Sequence, residues 1–206
     1  MCTVADKETL HGHFAVQEPN HFPRKGSRNR SQENPHGPGL GPGQAERFFA
    51  KLLNSDTAID LDASCIVLDS SKQLLDLVWF RELKSKDGSI VHSGDNRTGE
   101  GDGDDESIQV NLEQLPSGVK HLVFTVNSFT GQNFESVENA YCRIVDEVTG
   151  KELARFNLSD KGRHTGVVMA YLSRTAAGWD LTAIGTVANG RTAQDLANEA
   201  AQAVRA

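Results

Sequence analysis

Six carboxylates and four glycines share the fourteen positions of SGDNRTGEGDGDDE, residues 93–106, with Arg97 as the one compensating cation. Like charges so close together repel, so the stretch is either a solvated acidic loop or a cradle for something cationic. Its alternating glycines superficially suggest a phosphate-binding loop. Such a loop aims backbone N–H groups at an anion, usually beside a lysine, whereas here Glu100, Asp102 and Asp104 alternate with the glycines. A hard divalent cation answers the charge better. Calcium takes about six to eight oxygens from carboxylates, carbonyls and water and tolerates irregular geometry, while magnesium demands a tighter octahedron. Gly94, Gly99, Gly101 and Gly103 let the backbone curl around such an ion, and Asn96 and Thr98 add neutral oxygens.

The register is not that of an EF-hand, since Arg97 stands where a third-position Asp or Asn is needed and Glu100 replaces the turn glycine. Part of the ligand set must therefore come from elsewhere. Asp60 and Asp62 are the obvious donors: two residues apart in the strand-like run IDLDASCIVLD, they project from one face with α-carbons about 6–7 Å apart. Taken alone, DLD reads as a solvated face. Taken with the loop, it reads as half of a calcium site, and the number of carboxylates accommodates two ions.

The elements that must position these groups follow from periodicity. Ile59, Leu61, Ala63 and Cys65 alternate with Asp60, Asp62 and Ser64, and further strand-like runs are LLDLVWFREL, SIVHS, SIQVNL, KHLVFTVN, AYCRIVDE, ELARFNL, VVMAYLS and WDLTAIG. Turn signals KDG, PSG, VTGK and TAAG separate many of them. The pattern predicts a mainly β fold, a sandwich of about nine or more antiparallel or mixed strands with a few flanking helices. The helices are AERFFAKLLN, with Phe48, Phe49, Leu52 and Leu53 on one stripe, and TAQDLANEAAQAVRA, with Thr192 as cap, Asp195 as its reciprocal partner and a seam of Leu196, Ala200 and Val204. Residues 17–44 hold five of the six prolines and almost nothing apolar. The expected organisation is a disordered or flexible arm over 1–44, a sandwich with its preceding helix over 45–190, and a C-terminal helix packed on it over 191–206.

The loop from Asp95 to Glu106 contributes −5 of the chain's −7, which leaves no basic face for a nucleic-acid backbone. The start, MCTVADKETLHGHFAV, lacks a basic segment followed by an apolar one, and no apolar run approaches membrane-spanning length. Cys2, Cys65 and Cys142 fit no zinc spacing. A cytoplasmic protein without direct membrane insertion is the expectation.

DLDAS, KSKDGSIVHSGDNRTGEGDGDDE, GQNF and NAYCRIVDEVTGKELARFNLS closely resemble the TerD family of bacterial tellurium-resistance and stress proteins, across residues 57 to about 188. The resemblance implies a calcium-binding β-sandwich, usually with two ions, encoded among stress genes that confer resistance to tellurite, phage and colicins. It implies no known enzymatic step. Matched position by position, it places metal ligands at Asp60, Asp62, Asp95, Asn96, Thr98, Gly99, Glu100, Asp102, Asp104, Asp105 and Glu106. Expected partners are calcium and other stress or resistance proteins, membrane-associated ones among them. Family members usually open with strands of the form SLxKGxxxxL and a GWD segment, where this chain has a Pro/Gly arm and AERFFAKLL.

Neither GxSxG, HExxH nor CxxC occurs in the chain. His92 is either a base or ligand at the loop or, more commonly for such a position, a strand residue hydrogen-bonded at its edge. Cys65 and Cys142 lie in apolar runs and read as small hydrophobes; Trp79, Phe80 and Trp179 read as core or edge aromatics. The expectation is a non-enzymatic calcium-binding stress module whose ions brace the acidic loop and the DLD strand and present a partner-binding surface. The alternative is a metal-dependent hydrolase acting on a phosphoester, with His92 as base.

Overall fold

The structure, a computed structural model, describes residues 3–4, 9–10, 13–19, 60–94, 104–136, 141–158 and 162–205. Among the described residues twelve strands form two six-stranded sheets. In chain order they are β1 (Thr3–Val4), β2 (Thr9–Leu10), β3 (His13–Pro19), β4 (Leu61–Leu68), β5 (Leu74–Val78), β6 (Ile90–His92), β7 (Asp104–Asn111), β8 (His121–Ser128), β9 (Tyr141–Asp146), β10 (Lys151–Asn157), β11 (Gly166–Arg174) and β12 (Trp179–Ala188). Sheet 1 runs β1-β10-β9-β3-β7-β6 and sheet 2 runs β2-β12-β11-β8-β4-β5. Every pairing is antiparallel, which resolves the antiparallel-or-mixed expectation.

Alternation sorts side chains between two faces. Leu61, Ala63, Cys65 and Val67 of β4 meet Ile108 and Val110 of β7, Phe124 and Val126 of β8, and Ile144 and Phe156 of sheet 1 in one core between the sheets. The opposite parity, Ile66 and Leu68 of β4, Val123 of β8 and Val168 of β11, joins Ala200 and Val204 in a second apolar cluster on the outer face of sheet 2. That face is covered by α1 (Ala193–Ala203), whose Thr192 side chain accepts from the Asp195 N–H while the Asp195 carboxylate accepts from Thr192 N–H. At the other end of α1, Lys72, in the left-handed region at φ 60°, donates from Nζ to Val204 O at 2.7 Å.

The flexible arm over residues 1–44 needs correcting in its first part. Residues 3–4, 9–10 and 13–19 are strands, and β3 sits inside sheet 1, hydrogen-bonded to β7 on one side and β9 on the other. The physical reason is that backbone ladders, rather than apolar content, tie a strand into a sheet, so composition averaged over the proline-rich stretch hid a short segment with two neighbours. The expected AERFFAKLLN helix and most of the Pro/Gly stretch fall outside the described residues.

Candidate metal centre

β4 is paired along its whole length with β8, but β5 pairs only with Cys65–Leu68. Among the described residues the first half of β4 therefore has no strand neighbour on one side, and groups from sheet 1 reach its backbone there. Glu106 Oε2 accepts from Ala63 N–H at 3.1 Å. His92 Nε2 lies 3.2 Å from Ala63 O and 3.4 Å from Glu106 Oε2, while Gly94 N–H donates to His92 Nδ1 at 3.0 Å. Because Nδ1 accepts, the ring hydrogen sits on Nε2, facing Ala63 O and the Glu106 carboxylate.

These contacts fix both ends of the acidic loop at the start of β4. The loop is closed at its neck, where Ser93 N–H donates to Ser107 O at 2.8 Å and Ser107 N–H donates to Ser93 Oγ at 2.9 Å.

Asp62 lies opposite Asn127 in the β4–β8 ladder and is only 2% exposed. The DLD strand is thus not the solvated face its sequence suggests in isolation. Asn127 Nδ2 donates to Asp62 Oδ2 at 3.3 Å and to Arg191 O at 2.8 Å. Asp60 is half-buried, its carbonyl accepting from Phe129 N–H at 3.0 Å. Phe129 in turn belongs to an aromatic group with Phe80 and Trp79, over which the Arg81 guanidinium sits at 5.7, 5.2 and 5.4 Å from the respective ring centres. Phe129 O accepts from Arg191 Nε at 3.0 Å.

Of the expected ligands, Asp60 and Asp62 lie at the start of β4, Asp62 with the parity of the outer face, while Glu106 is turned into the interior and reaches the Ala63 backbone. Asp104 and Asp105 lie on the first residues of β7. Asp95, Asn96, Thr98, Gly99, Glu100 and Asp102 lie outside the described residues. Among the described residues no group of three or more His, Cys, Asp or Glu side chains is placed to hold a metal ion. Asn127, the Ala63 backbone and Arg191 were not singled out by sequence; Asn127 had a signal, since it shares the parity of Val123 and Thr125 in KHLVFTVN and so faces the same side as the DLD carboxylates.

The remaining candidates take structural places. His92 is buried with both ring nitrogens engaged, which leaves no free lone pair for a base. Cys65 is wholly buried, and burial pushes its thiol far above the ordinary range, so it behaves as a small hydrophobe. Cys142 and Trp179 belong to the core.

The family model for the TerD domain matches residues 39–199. The chain belongs to the TerD family. It is 51% identical over 168 residues to "Tellurium resistance protein TerZ" of Serratia marcescens, covering 82% of this chain and 86% of that one. It is 37% identical over 158 residues to "Stress response protein SCP2" of Bacillus subtilis, covering 72% and 79%. A solved homologue of the telluride resistance protein TerD from Streptomyces coelicolor superposes with a TM-score of 0.65 at 16% identity, over 91% of this chain and 96% of the other, and shares the fold. This TerD chain is therefore a member of a tellurium-resistance and stress-response family, and that family is not a known class of enzyme. No described helix is long and apolar enough to cross a membrane.

Proposed function

We propose that this chain is a calcium-binding stress-response module of the cytoplasm, in which two ions brace the acidic loop against β4 and fix a surface recognised by other resistance proteins. The observation that carries the reading is the double anchoring of the loop. Glu106 and His92 pin its two ends to the same residue, Ala63, one position beyond the buried Asp62. The two ends of a segment of −5 charge are thereby held at the start of β4, which carries two further carboxylates, Asp60 and Asp62, and a sum of like charge of this size favours a cation. The donor chemistry fits a hard cation, since Asp60, Asp62 and the loop offer carboxylate, amide, hydroxyl and carbonyl oxygens. Bound ions would relieve the repulsion and turn the loop into a rigid element of the sandwich edge, suited to recognition.

The test is a calorimetric titration of chelator-treated protein with calcium, paired with melting temperatures in chelator and in calcium. Saturable heat and a raised melting temperature are expected. An absent heat with an unchanged melting temperature overturns the reading. No observation favours the phosphoester hydrolase, because the residue that would serve as base, His92, is enclosed and doubly engaged.

A further inference from the structure

Directly after β5, Trp79 N–H donates to Glu82 O at 3.1 Å and Glu82 N–H donates to Trp79 O at 2.9 Å, which closes a tight hairpin with Phe80 and Arg81 at its tip. The Phe80 ring packs edge-on between Trp79 and Phe129, at centroid distances of 4.9 and 5.3 Å. Phe129 is itself held on both sides of its backbone, by Asp60 O and by Arg191 Nε. The three rings thus form a fixed platform, and the exposed Arg81 guanidinium lies over all of them, within 5.7 Å of each centre. Stacking engages the flat face of a guanidinium and leaves its edge, a fork of N–H donors, free. Other arginines spend that edge inside the fold: Arg143 and Arg155 on Glu152, Arg163 on Glu135, and Arg174 on the carbonyls of Leu115, Pro116 and Val119. Among the described residues the Arg81 guanidinium makes neither hydrogen bond nor ion pair, although acidic side chains outnumber basic ones in the chain by 28 to 21.

We propose that this hairpin tip and Phe129 are a docking site for an acidic peptide segment of a partner protein. One Asp or Glu carboxylate of the partner takes the Arg81 fork, and apolar side chains beside it lie on the half-buried Phe80 and Phe129 rings. Stacking holds the guanidinium in place before the partner arrives, so little side-chain freedom is lost on binding. An arginine set among large aromatic rings is also the composition that carries most of the energy in protein interfaces. Arg191, exposed and tied through Nε to Phe129 O, adds a second positive charge at the rim. An anionic membrane fits less well than a peptide. Glu82 shares the hairpin and the chain carries −7, so a flat negative surface is repelled over most of its contact, whereas a single carboxylate reaches the fork alone. The inference rests on the partner-recognition half of the reading above and needs no bound ion.

A fluorescein-labelled peptide with glutamates set among leucines and serines is titrated with the full-length protein in chelator and in calcium, and binding is read by anisotropy. The same peptide with glutamine for glutamate is the comparison. The wild type is expected to bind the glutamate peptide saturably and the glutamine peptide about tenfold more weakly or worse. Arg81→Ala is expected to lose about tenfold or more in affinity. Arg81→Lys loses less but stays clearly weaker than wild type, because an ammonium keeps the charge without the fork or the stack. Arg205→Ala, which removes an exposed arginine beyond the end of α1, leaves binding unchanged, and melting temperatures confirm that each variant is folded. Equal binding of both peptides, or wild-type affinity in a folded Arg81→Ala, shows that Arg81 merely covers the rings and overturns the inference. Arg81-dependent binding to phosphatidylserine vesicles with none to the peptide overturns it in favour of a membrane surface. A protein that binds the peptide but gives no heat with calcium loses the calcium reading and keeps this one; the converse result overturns this one alone.

Discussion

Glu106 on β7 and Ala63 on β4 belong to opposite sheets, yet the carboxylate of one accepts the backbone N–H of the other at 3.1 Å. A side chain from sheet 1 thus stands in for the strand neighbour that β5 fails to provide to the first half of β4. The Ala63 carbonyl is met in the same way by His92. Together the two side chains satisfy a backbone position that would otherwise be buried without partners, and they do so from the two ends of one loop.

Glu106→Ala leaves the Ala63 N–H buried and unpaired and removes the carboxylate facing His92. The expected loss is about 1–3 kcal/mol of unfolding free energy. Glu106→Gln keeps an acceptor oxygen and loses less. Urea denaturation of chelator-treated protein checks this, because the ranking Glu106, Gln, Ala must hold without metal if the bond to Ala63 is what matters.

At Gly190 the constraint is space. A Cβ there would fall 2.8 Å from Asp195 Cβ and 2.9 Å from Leu196 Cδ2, both in the first turn of α1. Asp195 Cβ is fixed to the helix backbone and the Leu196 side chain is wholly buried, so Gly190→Ala must push the helix start away from sheet 2, costing about 1–3 kcal/mol. Gly118, with open space around its would-be Cβ, serves as control. Thermal melting that fails to separate Gly190→Ala from Gly118→Ala would show that the helix start yields freely.

His121 makes the fold sensitive to mild acid. Burial of its half-exposed ring lowers its pKa first, Lys72 and Lys120 add to the shift, and Asp69 opposes it; Nδ1 meets Ser173 Oγ at 2.8 Å. With the folded value below the ordinary one of about 6.5, the unfolded chain takes up the proton more readily. Stability from the neutral ring is fully present above that ordinary value and is lost as pH falls through the folded one. Asp87, Asp146, Glu152 and Asp195 are also lowered, and as carboxylates they lose their contribution only in stronger acid. The expected result is that His121→Gln flattens the fall in melting temperature between pH 7.5 and 5 and leaves the steeper fall below pH 4 in place.

All nine strand-like runs of the sequence became strands because each carries its own alternation or a buried apolar run, which is local information. The direction of Glu106 was legible too. It shares the parity of Ile108 and Val110, which face the core, although the resemblance marked it only as one metal ligand among eleven. The burial of Asp62 was not legible, since DLD reads identically whether its polar face meets water or Asn127 and the turn before α1. Nor was β3, whose place depends on hydrogen bonds to strands about 90 and 130 residues later in the chain. What depended on contacts between distant segments stayed hidden, and the candidate site is made chiefly of such contacts.

Asp62 should respond to neutralisation with opposite signs in the two metal states. Its carboxylate is 2% exposed, and keeping a charge so far from water is costly without a compensating ion. Asp62→Asn preserves the shape and removes the charge. In chelator its unfolding free energy is expected to equal or exceed that of wild type. With calcium present the order reverses, because wild type gains about 2.7 kcal/mol at a hundredfold excess of ion over the Kd and the variant gains much less. Parallel urea titrations in chelator and in calcium read both terms. A loss of the same size in both conditions would mean that Asp62 acts through its hydrogen bond to Asn127 and not through a bound cation.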